Sequence, residues 1–218
     1  MKISEYLTEH LPGALLNTLY MVSVSAILAI IMGTIIGACL FLLRKGKSKS
    51  TKICYKILDV IVNIFRSFPF YILIFWLIPF SDLITGNLSM TTEGFIVPLT
   101  VAAIPFFSKL IENALIEVNG GIIEAATSLG LSTFQIIRKV VLREALPAIV
   151  SGITLGIVTL IGFSAMSGTV GAPGLGQFAK DYGLTNYDTL AMTYAVVTLI
   201  VLVLSVQLLG NLIYKLVK

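Results

Sequence analysis

Residues 14–43 read ALLNTLYMVSVSAILAIIMGTIIGACLFLL, a run of 30 residues without a charged side chain. At about 1.5 Å per residue, a helix of this length exceeds the roughly 30 Å hydrocarbon core of a membrane, even when the helix is tilted. The stretch therefore predicts a membrane-spanning helix. A secretory signal peptide is the alternative, but this apolar run is much too long and no small-residue cleavage site follows it. We expect the helix to stay in the mature protein.

The composition extends this conclusion to the whole chain. Of the 218 residues, 57% are hydrophobic and only 12% are charged, and the mean hydropathy is +0.98. A soluble domain carries about 25% charged residues, so a water-soluble globule is excluded. The sequence predicts an all-α polytopic membrane protein with a single transmembrane domain over residues 1–218, and its length leaves no room for a separate catalytic domain.

Four further apolar segments are separated by polar, charged or glycine-rich stretches. With the first, they give five predicted spans, at about residues 14–43, 57–80, 95–116, 147–170 and 190–216. An odd number of spans places the two termini on opposite sides of the membrane.

The distribution of Lys and Arg predicts which side is cytoplasmic, because basic loops stay inside. The loops after spans one and three and the C-terminal end hold eleven basic residues, and the alternate loops hold only two, Lys2 and Lys180. The N terminus is therefore predicted outside and the C terminus inside. The same distribution explains the basic pI of about 9.1 as topology and makes nucleic-acid binding the weaker interpretation. The eleven are Arg44, Lys45, Lys47, Lys49, Lys52, Lys56, Arg138, Lys139, Arg143, Lys215 and Lys218.

Small residues recur one turn apart in two of the predicted spans. Gly33 and Gly37 form a G-x-x-x-G spacing in the first span, as do Gly152 and Gly156 in the fourth. Such pairs let helix backbones approach closely. They serve either contacts within one chain or a dimer seam, and the intrachain contact is favoured.

The cytoplasmic connection between spans three and four, residues 117–146, has an order unusual for a mere linker. A break at residues 119–121 precedes a short predicted helix, 122–129, with Glu124 in its first turn, where the helix dipole favours a carboxylate. Gly130 fits the end of that helix, because glycine adopts the left-handed conformation at little cost. A short stub of helix is therefore expected to project into the cytoplasm.

A second helix is predicted after the stub. Ser132 and Gln135 have the spacing of a capping box. The residues that follow place Phe134 and other apolar side chains on one side and basic ones elsewhere, which predicts an amphipathic helix along the membrane surface. Pro147 is predicted to mark the turn into the fourth span.

The stub carries a recognisable motif. Glu124, Ala125 and Ala126, followed after three residues by Gly130, resemble the E-A-A-x-x-x-G motif of permease subunits of bacterial ABC importers. In that family the motif is a coupling helix that docks in a groove of a separate cytoplasmic ATPase, and the resemblance implies the same role here. The family pattern continues with Ile-x-Leu-Pro, but this chain has Arg143 at the proline position.

Three further segments resemble the methionine-importer permeases: residues 63–70 (NIFRSFPF), 97–101 (VPLTV) and 162–176 (GFSAMSGTVGAPGLG). The resemblance covers nearly the whole chain. It implies a homodimer with the pathway at the subunit seam, two cytoplasmic ATPase subunits and an extracytoplasmic binding protein, in a bacterial plasma membrane. It also implies that ATP and Mg are held by the ATPase, with no cofactor on this chain, and that the substrate is methionine or a related amino acid.

Arg66 is charged at a depth where a guanidinium should face protein or water and not lipid. One interpretation is that it lines the translocation pathway or holds a gate. The alternatives are a structural ion pair with Asp59 or Glu112, which is favoured, and snorkelling of the side chain toward the cytoplasmic surface. Lys109 and Glu112, three residues apart in a helix, are also expected to satisfy one another.

Met166 lies between Ser164 and Ser167 near the outer end of span four. A thioether there is suited to contact an apolar substrate or a gate partner, so these three residues are further candidates for the pathway or gate. Packing is the alternative, because methionine commonly fills gaps in apolar helices.

The sequence gives less support to other functional classes. The glycine-rich run at residues 168–176 lacks the G-K-[S/T] ending of a P-loop, and His10 is the only histidine, which excludes an H-E-x-x-H metal site. The spans also lack the dense acidic groups of an ion-coupled secondary transporter and the paired groups of an intramembrane enzyme. An importer of another amino acid or a small peptide, a secondary transporter and a binding scaffold remain the alternatives.

Overall fold

The computed structural model describes residues 9–46, 48–86 and 90–218. Lys2 and Lys47, which enter the charge count, lie outside these residues. The helices, in chain order, are α1 (Leu11–Lys45), α2 (Lys49–Ser67), α3 (Phe70–Thr85), α4 (Thr92–Ile116), α5 (Gly120–Ser128), α6 (Thr133–Ile136), α7 (Leu142–Ser167), α8 (Leu175–Phe178) and α9 (Thr189–Val217). Wider π-helical turns at Ile137–Val141 and Ala179–Thr185 join α6 to α7 and follow α8. The predicted all-α class is confirmed.

The membrane-spanning core is built around α4. In the described part of the chain, four helical stretches are long and apolar enough to cross a membrane, and α2 with α3 adds a fifth if the bent pair is one span. α1 and α7 pack against α4, and their shared cluster centres on the fully buried Phe107. The predicted number of five spans is therefore met only when the bent pair is included.

The glycine pairs are the reason that these helices approach so closely. A Cβ atom on Gly33 would lie 2.6 Å from the Cβ of Phe107, and one on Gly37 would lie 2.5 Å from the carbonyl oxygen of Ser108. On α7, a Cβ on Gly156 would overlap the ring of Phe107. Both pairs thus serve contacts with α4 of the same chain, which confirms the intrachain prediction.

We expect Gly37→Ala to lower the stability of the protein by about 1–3 kcal/mol, because the added methyl has no room against the α4 backbone. Gly162→Ala in α7 is the matched control. A Cβ there meets nothing within 4 Å, and alanine is the better helix former. Thermal unfolding of the purified protein in detergent checks this, and equal midpoints for the two variants would contradict it.

The predicted second span, 57–80, is not one straight helix. The structure divides it into α2 and α3, whose axes are bent by 104° at the break. Phe68 and Pro69 have extended backbone, as expected because a proline disfavours helical geometry at the residue before it. After the break, the Phe70 ring stacks on Phe163 of α7 with 4.2 Å between ring centroids, which anchors the start of α3.

A hydrogen bond between helices compensates for a proline inside α4. Pro98 has no N–H, so the carbonyl of Gly94, four residues earlier, loses its helical donor. The Ser81 hydroxyl of α3 donates to that carbonyl at 2.6 Å, and both residues are buried. An unsatisfied carbonyl is costly where water is scarce, so this bond allows the proline within the core.

The connection into the fourth span differs from the prediction. Instead of a separate surface helix that turns at Pro147, one helical stretch runs from Phe134 to Val170, and Pro147 lies inside it. The carbonyl of Arg143, which Pro147 leaves without a helical donor, belongs to an exposed residue, so water can replace the lost hydrogen bond. Part of the predicted connecting segment, residues 117–146, therefore extends the same rod as span four.

Candidate functional site

The stub that follows α4 is the helix α5. It begins at Gly120, because the Asn119 side chain accepts a hydrogen bond from the N–H of Gly121 at 2.8 Å and caps the first turn. Glu124 is the fifth residue of this helix and not part of its first turn. The predicted role of the helix dipole at Glu124 is therefore wrong, because the helix starts two residues earlier than expected.

The end of the stub is as predicted. Gly130 has a φ of +77°, in the left-handed region, and its N–H donates to the carbonyl of Thr127 at 2.9 Å. The capping box is also confirmed. The N–H of Ser132 donates to the Gln135 side chain at 2.9 Å, and the N–H of Gln135 donates to the Ser132 hydroxyl at 3.4 Å. Local chemistry thus holds the turn between the stub and the long helix in a defined shape.

The residues of the E-A-A motif divide between two faces of α5. Ala126 is buried against Val118, Val141 and neighbouring apolar residues of its own chain. Glu124 and Ala125 are exposed. Ala126 therefore holds the stub against the rest of the chain, while Glu124 and Ala125 are available to another protein.

Two large apolar side chains widen the exposed face. Leu129, at the end of the stub, is 81% exposed and Phe134, just beyond the turn, is 70% exposed. Sequence reasoning gave Leu129 no functional role and placed Phe134 on a membrane-facing side. Exposed apolar side chains beside a short capped helix are typical of a protein-binding surface. We call Glu124, Ala125, Leu129 and Phe134 the coupling surface.

A buried ionic cluster joins α1, α2 and α4 on the stub side of the molecule. Lys109 donates to Glu112 at 2.6 Å and to Asp59 of α2. The Tyr55 hydroxyl donates to the other Glu112 oxygen at 3.1 Å, and Arg44 at the end of α1 lies 4.0 Å from that oxygen. Glu112 is only 1% exposed. Two acids and two cations therefore approach neutrality within a mostly apolar region.

The cluster shows which carboxylates bind Lys109, and these are the same carboxylates that were predicted to pair with Arg66. The predicted pairing of Lys109 with Glu112 is confirmed. Arg66 is exposed, and within the described residues it pairs with neither Asp59 nor Glu112, because Lys109 occupies both carboxylates. Asn63 also binds Asp59, at 3.1 Å. The ion pairs predicted for Arg66 are wrong, and a role in the pathway stays a prediction.

The residues around Met166 do not share one face. Ser164 and Ser167 are buried, and their hydroxyls donate to the carbonyls of Ile161 and Ser164 at 2.8 and 2.7 Å. A Cβ on Gly176 would overlap the Ala165 carbonyl, so the glycine-rich segment packs tightly on this end of α7. Met166, in contrast, is 43% exposed. Of the three, only Met166 is placed to meet a molecule outside its own chain.

A metal centre has no support in the ranges 9–46, 48–86 and 90–218. No group of three or more His, Cys, Asp or Glu side chains there is arranged to hold a metal ion. The carboxylates that do converge, Asp59 and Glu112, are both bound to Lys109.

Known proteins resemble this chain over nearly its whole length. The probable D-methionine transport system permease protein MetI of Vibrio cholerae is 45% identical over 195 residues, which are 89% of this chain and 86% of that protein. The corresponding protein of Pasteurella multocida is 43% identical and covers 90% of both. Among solved structures, a chain of the inward-facing MetNI methionine ABC transporter superposes with a TM-score of 0.92 at 40% identity, covering 100% of both chains.

The predicted importer permease fold is confirmed by this superposition. Residues 27–218 also match the family model described as binding-protein-dependent transport system inner membrane component. The match includes the stub, the ionic cluster and the Met166 region. The chain belongs to this family of inner membrane components of binding-protein-dependent transport systems.

Proposed function

We propose that this chain is the permease subunit of an ATP-driven importer of methionine or a closely related amino acid. The observation that carries the proposal is the likeness to the permease of the MetNI methionine transporter over the full length of both chains. The names of the Vibrio cholerae and Pasteurella multocida relatives agree with this substrate.

In this proposal residues 1–218 form one transmembrane domain, and two copies form the pathway at their seam. Each copy presents its coupling surface to one of two cytoplasmic ATPase subunits, which hold ATP and Mg. The capped, exposed form of α5 supports this role, because a rigid stub transmits the movement of a partner to the helices that carry it. The N terminus lies outside, where a binding protein delivers the substrate, and the C terminus lies inside.

The mechanism is alternating access. Closure of the ATPase subunits on ATP moves the coupling surfaces together and opens the pathway outward, and hydrolysis returns it to the inward-open state. The α6–α7 rod continues directly from the turn beside the stub into the fourth span, so a displacement of the stub is passed to the Met166 end of α7.

The test is reconstitution of the permease with its ATPase and the binding protein in vesicles. Uptake should require all three proteins and ATP, and a scan of amino acids should give the strongest stimulation with methionine. Collapse of the proton and sodium gradients at constant ATP should leave uptake unchanged, whereas an ion-coupled secondary transporter would stop. If another amino acid or a short peptide stimulated uptake more strongly than methionine, the chain would still be an importer permease, but its proposed substrate would be wrong.

We expect Met166→Ala to change substrate-stimulated ATP hydrolysis severalfold while basal assembly with the ATPase is retained. The physical reason is that Met166 is exposed at the end of α7, where truncation removes a contact with the substrate or the second copy. Met32→Ala is the control, because Met32 on α1 is exposed to a similar extent, 48%. Equal hydrolysis by the two variants would assign Met166 to packing.

A further inference from the structure

Helix α2 differs from the other long helices in having three distinct faces. The face towards α4 carries the buried Val62 together with Tyr55 and Asp59 of the ionic cluster. A second face is apolar and exposed, with Ile53, Ile57, Val60, Ile61 and Ile64 each at least 45% exposed. The third is basic. A helix of this kind has the pattern of one that lies at the surface of a membrane, which leaves the membrane crossing of the bent pair to α3.

The bend at residues 68–69 supports that placement. α3 runs beside α4, with Phe70 stacked on α7 at one end and Ser81 bonded to Gly94 near the other. Because α2 is turned by 104° relative to α3, it leaves the direction of the spans and crosses α4 near Lys109 and Glu112. α2 therefore lies close to the plane of the membrane, on the side of the molecule that carries the stub.

The basic face has a regular spacing. Lys49, Lys52 and Lys56 stand three and four residues apart, so they lie on one side of the helix. All three are exposed, and within the described residues none of them forms an ion pair. Arg44 and Lys45, at the end of α1, are also exposed and precede α2 by only a few residues. The lysine row borders the exposed isoleucines directly.

We propose that this basic face binds the phosphate groups of anionic phospholipids in the cytoplasmic leaflet, while the adjacent isoleucine face enters the acyl region. Charge complementarity identifies the occupant. Lysines next to an apolar face place positive charge at the depth of the headgroups, and juxtamembrane basic clusters bind anionic lipid surfaces. The proposal uses the orientation of the proposed function but neither its substrate nor its pathway.

The experiment measures lipid retention by the purified permease–ATPase complex. The complex is incubated with equal amounts of phosphatidylglycerol and phosphatidylcholine of matched acyl chains, and the retained lipids are counted by native mass spectrometry. The wild-type complex should retain phosphatidylglycerol in preference. In the variant with Lys49→Gln, Lys52→Gln and Lys56→Gln, the ratio of retained phosphatidylglycerol to phosphatidylcholine should fall roughly tenfold. Added salt should also lower this ratio for the wild-type complex.

Two control variants separate this effect from net charge and from folding. The variant with Lys180→Gln, Lys215→Gln and Lys218→Gln removes the same charge away from α2 and should keep the wild-type preference. The variant with Lys49→Arg, Lys52→Arg and Lys56→Arg keeps the charge and should retain phosphatidylglycerol as the wild type does, which shows that the α2 face tolerates substitution.

Three outcomes would overturn the proposal. The first is a wild-type complex with no preference between the lipids. The second is an unchanged preference in the glutamine variant of α2. The third is a glutamine variant of α2 that loses the ATPase subunit but still retains phosphatidylglycerol, which would assign the basic face to a protein partner. Transport assays are not needed for this result, so a failure here leaves the proposed function in place.

Discussion

ATP-driven uptake is expected to fall by at least about tenfold when Glu124 is replaced by lysine, with the spans still folded. Glu124 is exposed on α5, and its side chain belongs to the coupling surface with Ala125 and Leu129. Where a cation of the partner binds a carboxylate, reversing the charge of that carboxylate places like charges together and costs several kcal/mol, which exceeds the 1.4 kcal/mol that corresponds to a tenfold loss of affinity. Co-purification of the ATPase and uptake into vesicles measure the effect.

The two alanines beside Glu124 provide an internal control. Ala125→Arg adds bulk and charge to the coupling surface and should reduce ATPase binding at unchanged thermal stability. Ala126→Arg places a charge in the apolar cluster that holds the stub, so it should lower stability as well. Glu93→Lys reverses an exposed charge at the far end of α4 and should leave ATPase binding unchanged. Normal co-purification and uptake by Glu124→Lys would refute the docking role.

The buried ionic cluster gives the largest expected effect on stability. Lys109→Met leaves the carboxylates of Asp59 and Glu112 without their shared partner, and breaking a buried ion pair costs about 3–5 kcal/mol. Glu112→Gln keeps the shape of the side chain and leaves Lys109 bound to Asp59, so its effect should be smaller. Thermal unfolding in detergent should rank Lys109→Met below Glu112→Gln.

The control for this ranking is Glu144→Gln, which removes a carboxylate that is exposed at the start of α7. Substitutions at exposed charges usually change stability by less than about 0.5 kcal/mol. If Lys109→Met unfolded at the same temperature as Glu144→Gln, the cluster would not be a stabilising feature of the fold. If Lys109→Met unfolded at the wild-type temperature but reduced uptake, the cluster would have a role in transport and not in stability.

Features governed by neighbouring residues could be predicted from the sequence. Gly130 ends α5 and Ser132 pairs with Gln135 because left-handed glycine and the capping box depend on a few adjacent groups. The start of α5 was missed because Asn119 and the two glycines after it look like a break, whereas the asparagine side chain caps a helix there.

Features that depend on distant contacts could not be predicted in this way. Ala125 and Ala126 are residues of the same type, and it is the packing of Ala126 in the apolar cluster with Val118 and Val141 that makes it the buried one. The ion pairs predicted for Arg66 with Asp59 or Glu112 do not form, because Lys109 of α4 binds both carboxylates instead. The sequence identified the participants in these contacts without the geometry that chooses among them.

The hydrogen bond from Ser81 to Gly94 links two helices at the level where Pro98 would otherwise leave α4 free to flex. Because Ser81 of α3 satisfies the carbonyl of Gly94, α3 and α4 are joined to each other at this level. Separating α3 from α4 at this level would therefore break a buried hydrogen bond, whereas between α2 and α3 the backbone at Phe68 and Pro69 is extended and holds no helical bond of that kind.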